Sequence, residues 1–336
     1  MSVEFQDPSY EQWQQALLAF SEVNFLNSWE YGESQAGADE PVIRRITTNG
    51  HVMIQAVVRA ARRGRYLEIA GGPLLDWSDQ QLIEIAVEEI RRIAVVHNCV
   101  YVRIRPQVTS TDELLGHMKS TGFRLSQMHL NAQDTSMIDL SQSEDQLLAN
   151  MRKKTRYEVR QAEKKNVVVS IDSSLDSYDQ FLNLQIETAQ RQNYVIGSTE
   201  TLKSEYEHFM NGGMVAIYHA HADGVLLASA MIVSFGEEAC YLYGASTPEG
   251  RNLPGAYAIQ WRAIRDVKVA GKKRYNLWGI APEGSENHRY AGVTTFKKGF
   301  GGSDYTYVPA HDLVIDKLRY QKNLLVETVR RKRRGL

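Results

Sequence analysis

The amino-acid sequence predicts an α/β chain built as two successive mixed modules, each a sheet flanked by helices. Three observations carry this. Strand-type and helix-type hydrophobic periods alternate along the chain instead of segregating. A similar order of elements runs twice. And 336 residues suit two domains, each large enough for its own core.

Residues 42–47 and 52–59 read as strands either side of Asn49-Gly50, a dipeptide whose tolerance of positive φ favours a tight hairpin. A third strand, 65–69, stops at Gly71-Gly72-Pro73. From 78 to 97, Leu82, Ile83, Ala86, Ile90, Ile93 and Ala94 recur on one helical face, with Ser78 as an N-cap-type residue. A strand at 100–104 broken at Arg105-Pro106, a short helix at 113–120 closed by Gly122, and a strand at 136–140 follow. The second module opens with a very basic helix at 143–165 and a strand at 167–171. Helices at 177–192 and 199–210 and a hairpin of 214–220 with 225–234 come next. A strand at 239–245, a helix at 254–270, strands at 274–278 and 306–308, and a helical tail at 312–331 complete it. Hairpin, strand, long helix, strand is the order of an acyltransferase domain of the N-acetyltransferase type.

Charge and composition exclude several classes. Lys+Arg 39 against Asp+Glu 40 leaves a net charge of -1, so the chain is not a globally basic nucleic-acid binder, and an anionic partner must meet local patches. Cys99 and Cys240 lie in apolar runs with no His or Cys at ligand spacing, which predicts buried free thiols in a reducing compartment and no metal site. The N-terminus lacks a basic start followed by an apolar run, and no apolar stretch approaches the ~20 residues that span a bilayer. A soluble, cytoplasmic protein is expected. Gly-x-Ser-x-Gly, His-Glu-x-x-His and Walker patterns are absent, which removes support for nucleophilic, zinc and P-loop mechanisms. His219 and His221 alternate on a strand and His288 sits in a loop, which suits structural or exposed roles. Trp29, Trp261 and Trp278 suit core anchors better than stacking platforms.

Two stretches carry candidate chemistry. The first, 279–302, is rich in glycine and contains Phe296-Lys297 and a buried-looking Phe300. It reads either as a bulged strand with a solvated lysine or as a close backbone approach holding a lysine for negative charge. The second, 151–167, spaces Arg152 with Arg156, and Lys153 with Arg160 and Lys164, near one another on a helix. That stripe suits phosphates, or is a solvated face braced by Glu158 and Glu163. Residues 251–256 precede a helix and resemble the pyrophosphate loop of acetyl-CoA-dependent acetyltransferases. Pro254 there removes a backbone donor, which weakens a cofactor reading, and no cofactor is expected.

Taken together, these stretches resemble the Fem family of peptidoglycan bridge-forming aminoacyltransferases, over about residues 25–310. Phe25-Leu26-Asn27-Ser28-Trp29-Glu30-Tyr31-Gly32 is similar to the family's F-L-Q-S-W-E-W-G signature. Asp139-Leu140 with 147–167 is similar to its basic D-L…R-Y-x-I-R segment, and Tyr241-Leu242-Tyr243-Gly244-Ala245-Ser246 to its Y-x-Y-G-A-S strand. Tyr275-Asn276-Leu277-Trp278-Gly279-Ile280 and 292–302 are similar to its Y-D-x-W-G-I…F-K-x-x-F-G-G ending.

The resemblance implies two tandem acetyltransferase-like (GNAT-type) domains, 1–145 and 146–310, without a coiled-coil arm and with 311–336 packing back on the first. It implies transfer of an amino acid from aminoacyl-tRNA to an amine of a peptidoglycan precursor's stem peptide, the precursor being nucleotide-linked (UDP-MurNAc-peptide) or lipid-linked. Lys297 and Phe296 are then the catalytic pair; Tyr243, Arg105, Trp29, Tyr31 and Gly279 are substrate-binding; and Arg152, Lys153, Arg156 and Arg160 meet tRNA phosphates. The chain departs from the compact members in lacking a lysine at 30–35 and an arginine at 192–198, where their diphosphate clamp stands; Arg105 is a partial substitute. The basic run 330–334 reads as a contact for tRNA, as a contact for the anionic inner membrane face, or as a solubilising tail that binds neither. An acyl-CoA-dependent N-acyltransferase on the same fold and a non-catalytic precursor-binding protein are the alternatives.

Overall fold

A computed structural model describes residues 4–192, 194–251, 253–285 and 291–334. His288, and Asn252 within the 251–256 stretch, lie outside them, as do the side chains of 251 and 330–334. The chain divides into two compact units, Met1–Gln133 with Thr306–Leu336, and Asp134–Tyr305. No helix of the described residues is long and apolar enough to cross a membrane.

The first unit contains β1 (Phe5–Gln6), α1 (Tyr10–Leu17), α2 (Trp29–Ser34), β2 (Val42–Thr47), β3 (Met53–Ala61), β4 (Gly64–Gly71), α3 (Gln80–Val96), β5 (Cys99–Pro106), α4 (Asp112–Ser120) and β6 (Phe123–Leu125). From the end of the chain come β14 (His311–Val314) and α11 (Lys317–Arg334). The sheet order is β1-β2-β3-β4-β5-β14-β6, and β4 pairs with β5 in parallel across the α3 crossover. Ile54, Leu67, Ile69, Val102 and Ile104 from the sheet bury against Ile83, Ile90 and Ala94 of α3. The helix is capped by Asp79, whose carboxylate accepts from the amides of Gln81 and Leu82, while Ser78 donates to Asp76. The expected serine cap is thus one residue early.

Strand β14 replaces the helix expected from 312. Its sequence, HDLV, lacks an apolar alternation because an ion pair holds it: Arg103 Nε meets Asp312 Oδ1 at 2.7 Å, both side chains buried, and Tyr320 OH donates to Asp312 Oδ2 at 3.0 Å. Tyr320 also packs edge-on against Tyr101, which seats α11 beside β5 in this unit.

The second unit holds β7 (Asp134–Asp139), α5 (Glu144–Asn150), α6 (Lys153–Lys164), β8 (Val168–Asp172), α7 (Leu175–Gln192), α8 (Thr199–Asn211), β9 (Val215–Ala222), β10 (Val225–Phe235), β11 (Glu238–Ser246), α9 (Gly255–Val269), β12 (Arg274–Asn276), α10 (Ala291–Lys298) and β13 (Ser303–Thr306). The order is β13-β7-β12-β11-β10-β9-β8, with β11 and β12 parallel across the α9 crossover. The β4–α3–β5 logic of the first unit therefore recurs as β11–α9–β12. Strand β7 pairs antiparallel with β12, so it belongs to this sheet and not to the first module. Cys99 and Cys240 are both buried and free.

The basic helix expected at 143–165 breaks at Met151-Arg152, both in extended conformation, into α5 and α6. The glycine-rich segment makes the break: the Arg152 amide donates to Gly299 O at 2.9 Å. Gly301, at φ +84, lies so close to Asn150 that a Cβ would sit 2.5 Å from its carbonyl oxygen. The expected bulged strand is instead the helix α10 followed by this glycine turn.

Gly301→Ala is therefore expected to lose about 2 kcal/mol of stability through positive φ and backbone overlap. Gly116→Ala, in open space on α4, should gain up to about 1 kcal/mol from helix propensity. Urea denaturation of the two variants checks both signs.

Candidate active site

The parallel strands β11 and β12 stay paired only from Glu238 with Arg274 to Cys240 with Asn276; β11 then runs on to Ser246 while β12 ends. The fork so opened is shaped by Asn276, which is fully buried. Its Oδ1 accepts from Thr135 Oγ1 at 2.5 Å and from the Trp278 amide at 2.9 Å, and its Nδ2 donates to Glu238 Oε1 at 3.0 Å. This side-chain turn holds Trp278 at φ 56, a left-handed conformation that only a network of this kind makes a non-glycine residue adopt. The left-handed turn leads into the carbonyls of Trp278 and Gly279.

Lys297, from the last turn of α10, donates to those two carbonyls at 3.1 and 2.9 Å. It is only 8% exposed, its ammonium is 5.4 Å from the Tyr241 ring centroid, and among the described residues no carboxylate pairs with it. Burial lowers its pKa to about 8, against a small opposing pull from the Cys240 thiol. An ammonium has three donors, and two are engaged. What the fork presents is a buried positive charge with one donor left over, suited to an oxygen on which negative charge develops.

Tyr241, which the sequence reading passed over, is the aromatic ring beneath this charge. Its phenol lies over Gly244, where any Cβ would collide with it, and that close approach is why the Tyr-x-Tyr-Gly run needs its glycine. Tyr243 is half-buried on β11 opposite Met231, beside a bulge that leaves Leu242 unpaired, and burial pushes its phenol pKa up. Phe296 packs edge-on against Tyr257 and Phe300, at 5.1 and 5.2 Å between centroids, forming an apolar wall one residue from Lys297. Neither Asn276 nor Thr135 is visible as functional in sequence, because a buried amide announces itself only through its partners.

On α6, Arg152, Lys153 and Arg160 are exposed and carry no ion pair among the described residues, so neither Glu158 nor Glu163 braces them. Arg156 is different. Its Nη1 donates to the carbonyls of Leu148, Ala149 and Met151 at 2.9 to 3.2 Å, closing the C-terminus of α5. Of the expected four-residue phosphate stripe, three members are thus exposed and without an ion pair among the described residues.

In the first unit, Trp29 lies under the Arg44 guanidinium, 3.7 Å from the ring centroid. Arg44 is held by Glu33 at 2.7 Å, Gln55 at 2.7 Å and the Trp29 carbonyl at 2.9 Å. A Cβ on Gly32 would strike Arg44 and Gln55, so the Trp-Glu-Tyr-Gly signature is explained by this packing. Tyr31 is buried edge-on to Phe25. Arg105 ends β5 with 1% exposure, its Nη2 donating to Gln107 Oε1 at 2.6 Å.

Comparison with known proteins gives a consistent result. The FemAB family model matches residues 9–221 and 201–328. The Lipid II:glycine glycyltransferase of Staphylococcus saprophyticus is 19% identical over 94% of this chain and 91% of its own. The aminoacyltransferase FemA of Staphylococcus epidermidis is 18% identical over 76% of this chain and 81% of its own. Among solved structures, FemX superposes with a TM-score of 0.87 at 16% identity, over 96% of this chain and all of that one. A tandem GNAT protein from the clavulanic acid pathway gives a TM-score of 0.59 at 13% identity, over 94% of this chain and 99% of its own.

Asn276→Ala is expected to cost about 2–3 kcal/mol, because it removes one buried hydrogen bond from each of Glu238, Thr135 and the Trp278 amide. Lys297 also gives stability a pH dependence whose sign can be worked out. Its folded pKa is about 8 against 10.5 unfolded, so above pH 8 the unfolded chain binds more protons and stability rises with pH. The native state should gain about 3 kcal/mol between pH 8 and 10.5 from this group, and Lys297→Met should flatten that limb in denaturant titrations.

Proposed function

Because the chain belongs to the FemAB family, we propose that it transfers an amino acid from aminoacyl-tRNA to an amine of a peptidoglycan-precursor stem peptide, as in interpeptide bridge formation. The observation that carries this reading is the buried Lys297 ammonium held at the β11–β12 fork by two carbonyls instead of a carboxylate.

The chemistry asks for little more. The ester of an aminoacyl-tRNA is already activated, so no covalent enzyme intermediate is needed. The neutral acceptor amine adds to the ester carbonyl and the carbonyl oxygen becomes an oxyanion. The leftover Lys297 donor stabilises it in a setting that excludes water. Collapse breaks the ester C–O bond, the ribose hydroxyl leaves with a proton, and the nitrogen loses one to give the amide. Phe296 and Tyr241 wall the oxyanion position, and the Gly279 carbonyl fixes the lysine. Arg152, Lys153 and Arg160 on the exposed face of α6 meet tRNA phosphates.

The glycyltransferase relatives are named for lipid II, which supports a lipid-linked acceptor. Exposed Leu318 and Leu325 lie one heptad apart on α11 among Lys317, Arg319 and Lys322. This pattern suits peripheral contact with an anionic membrane face, where each cation near the surface contributes about 1 kcal/mol. The same-fold alternative, acyl-CoA transfer, is disfavoured by Pro254, which stands at the N-cap of α9 without an amide proton or a capping side chain.

Lys297→Met should lower transfer of a labelled amino acid from charged tRNA at least a hundredfold while leaving the protein folded and at least as stable as wild type at neutral pH. Full activity in this variant would remove the lysine from the chemistry. In wild type the rate should fall as pH rises through about 8, since the ammonium is the active form, and Lys297→Arg should move that limb upward. Charge reversal at Lys153 and Arg160 should weaken tRNA binding and flatten its salt slope by about two ions; an unchanged slope would return α6 to a merely solvated face.

A further inference from the structure

Four arginines of the first sheet and its turns are buried or nearly so, and three have a carboxylate. Arg44 pairs with Glu33 at 2.7 Å, Arg59 with Glu68 at 2.9 Å and Arg103 with Asp312 at 2.7 Å. Arg105 is the exception. It is the most buried of the four, and among the described residues its Nε and Nη1 have no partner. Its one hydrogen bond is to Gln107, whose own Nε2 is equally buried and unpartnered. The Tyr307 ring, 5.4 Å from the guanidinium, gives the charge a polarisable face. Burial lowers the Arg105 pKa to about 10, which still leaves it charged at neutral pH. An unpaired buried cation of this kind is destabilising, and a bound anion would offset that cost.

Gln107 also lines a cleft of about 700 Å³ in the same unit, with Gly71, Leu74 and Val108 beside it. Asp76 and Asp79 stand on its wall but are engaged locally, Asp76 with Ser78 and Asp79 as the cap of α3. With Glu22 they make the wall acidic, which disfavours a phosphate dianion. A single cation flanked by a primary amide instead matches a monovalent, planar carboxylate. Arg105 is 1% exposed and stands behind Gln107, which is the residue of the two that lines the cleft, so a narrow group such as a chain end suits the position better than a bulky mid-chain side group.

We propose that Gln107 on the wall of this cleft, with Arg105 hydrogen-bonded behind it, forms a carboxylate subsite, and that it takes the terminal carboxylate of the acceptor peptide. The identity of the ligand rests on the acceptor reading given above; the subsite itself rests on the unpaired cation.

The test is binding to the full chain without any aminoacyl donor, by titration calorimetry. The probes are the tripeptide N-acetyl-lysyl-D-alanyl-D-alanine, its C-terminal amide, and inorganic phosphate. Wild type should bind the free acid at least tenfold more tightly than the amide, with phosphate unable to compete. Arg105→Gln should abolish that preference and, without ligand, melt a few degrees higher than wild type, since it removes an uncompensated charge. Equal binding of acid and amide by wild type would overturn the subsite without any variant needing to fold. A lower melting point for Arg105→Gln with the preference intact would make Arg105 a structural cation, and competition by phosphate would make the site a phosphate site; either overturns the proposal. Acid preference without transfer by the wild-type enzyme would sink the aminoacyl-transfer reading and leave the subsite standing. Transfer without acid preference would do the reverse.

Discussion

A lysine ammonium buried against two backbone carbonyls, with no carboxylate among the described residues to neutralise it, is the interaction on which the site in the second unit depends. Carbonyl dipoles hold an ammonium in place but do not cancel its charge, so the charge stays available to a partner. Making such a site requires carbonyls that point away from the sheet ladder. The fork between β11 and β12 releases them, and the left-handed turn at Trp278 leads into them. Asn276 is the residue that makes the turn affordable, because its amide satisfies Trp278, Thr135 and Glu238 at once.

The same constraint explains the glycines that follow Lys297. For the last turn of α10 to deliver the lysine, the chain must leave the helix at once. Gly299 and Gly301 do this by passing against Thr155 and Asn150, where a Cβ would collide. That passage breaks the basic segment into α5 and α6 and leaves Arg156 to close the end of α5. The lysine, the glycine turn and the exposed basic face of α6 are thus parts of one local arrangement.

How much of this was legible in sequence depends on what held each element. Where apolar periodicity did the holding, as in α3, β3 and β10, the reading was close, and the two-module α/β architecture followed from it. Strand β14 was missed because an Arg103–Asp312 ion pair holds it across 209 positions. The break at Met151-Arg152 was missed because the helical pattern runs through it and only a distant glycine turn interrupts it. In the site, Lys297 and the need for glycine were visible as a motif. Tyr241 was passed over for Tyr243 because a bulge at Leu242 changes which ring faces the lysine. Asn276 could not be singled out, since its role is made by Thr135, far along the chain. Arg105 was visible as a charge at the end of a strand, but its lack of a partner is a property of the fold alone.

The central claim is that the Lys297 charge is held in reserve for an anion that forms during transfer. It is tested most directly by following the ¹³Cε resonance of Lys297 through a pH titration, with and without a phosphonate mimic of the tetrahedral intermediate. The account predicts a midpoint near 8 in the free protein and a clear rise when the anionic mimic is bound, because the charged form then gains its missing partner. A midpoint at the ordinary lysine value in the free protein, or one that does not move with the mimic bound, would contradict it.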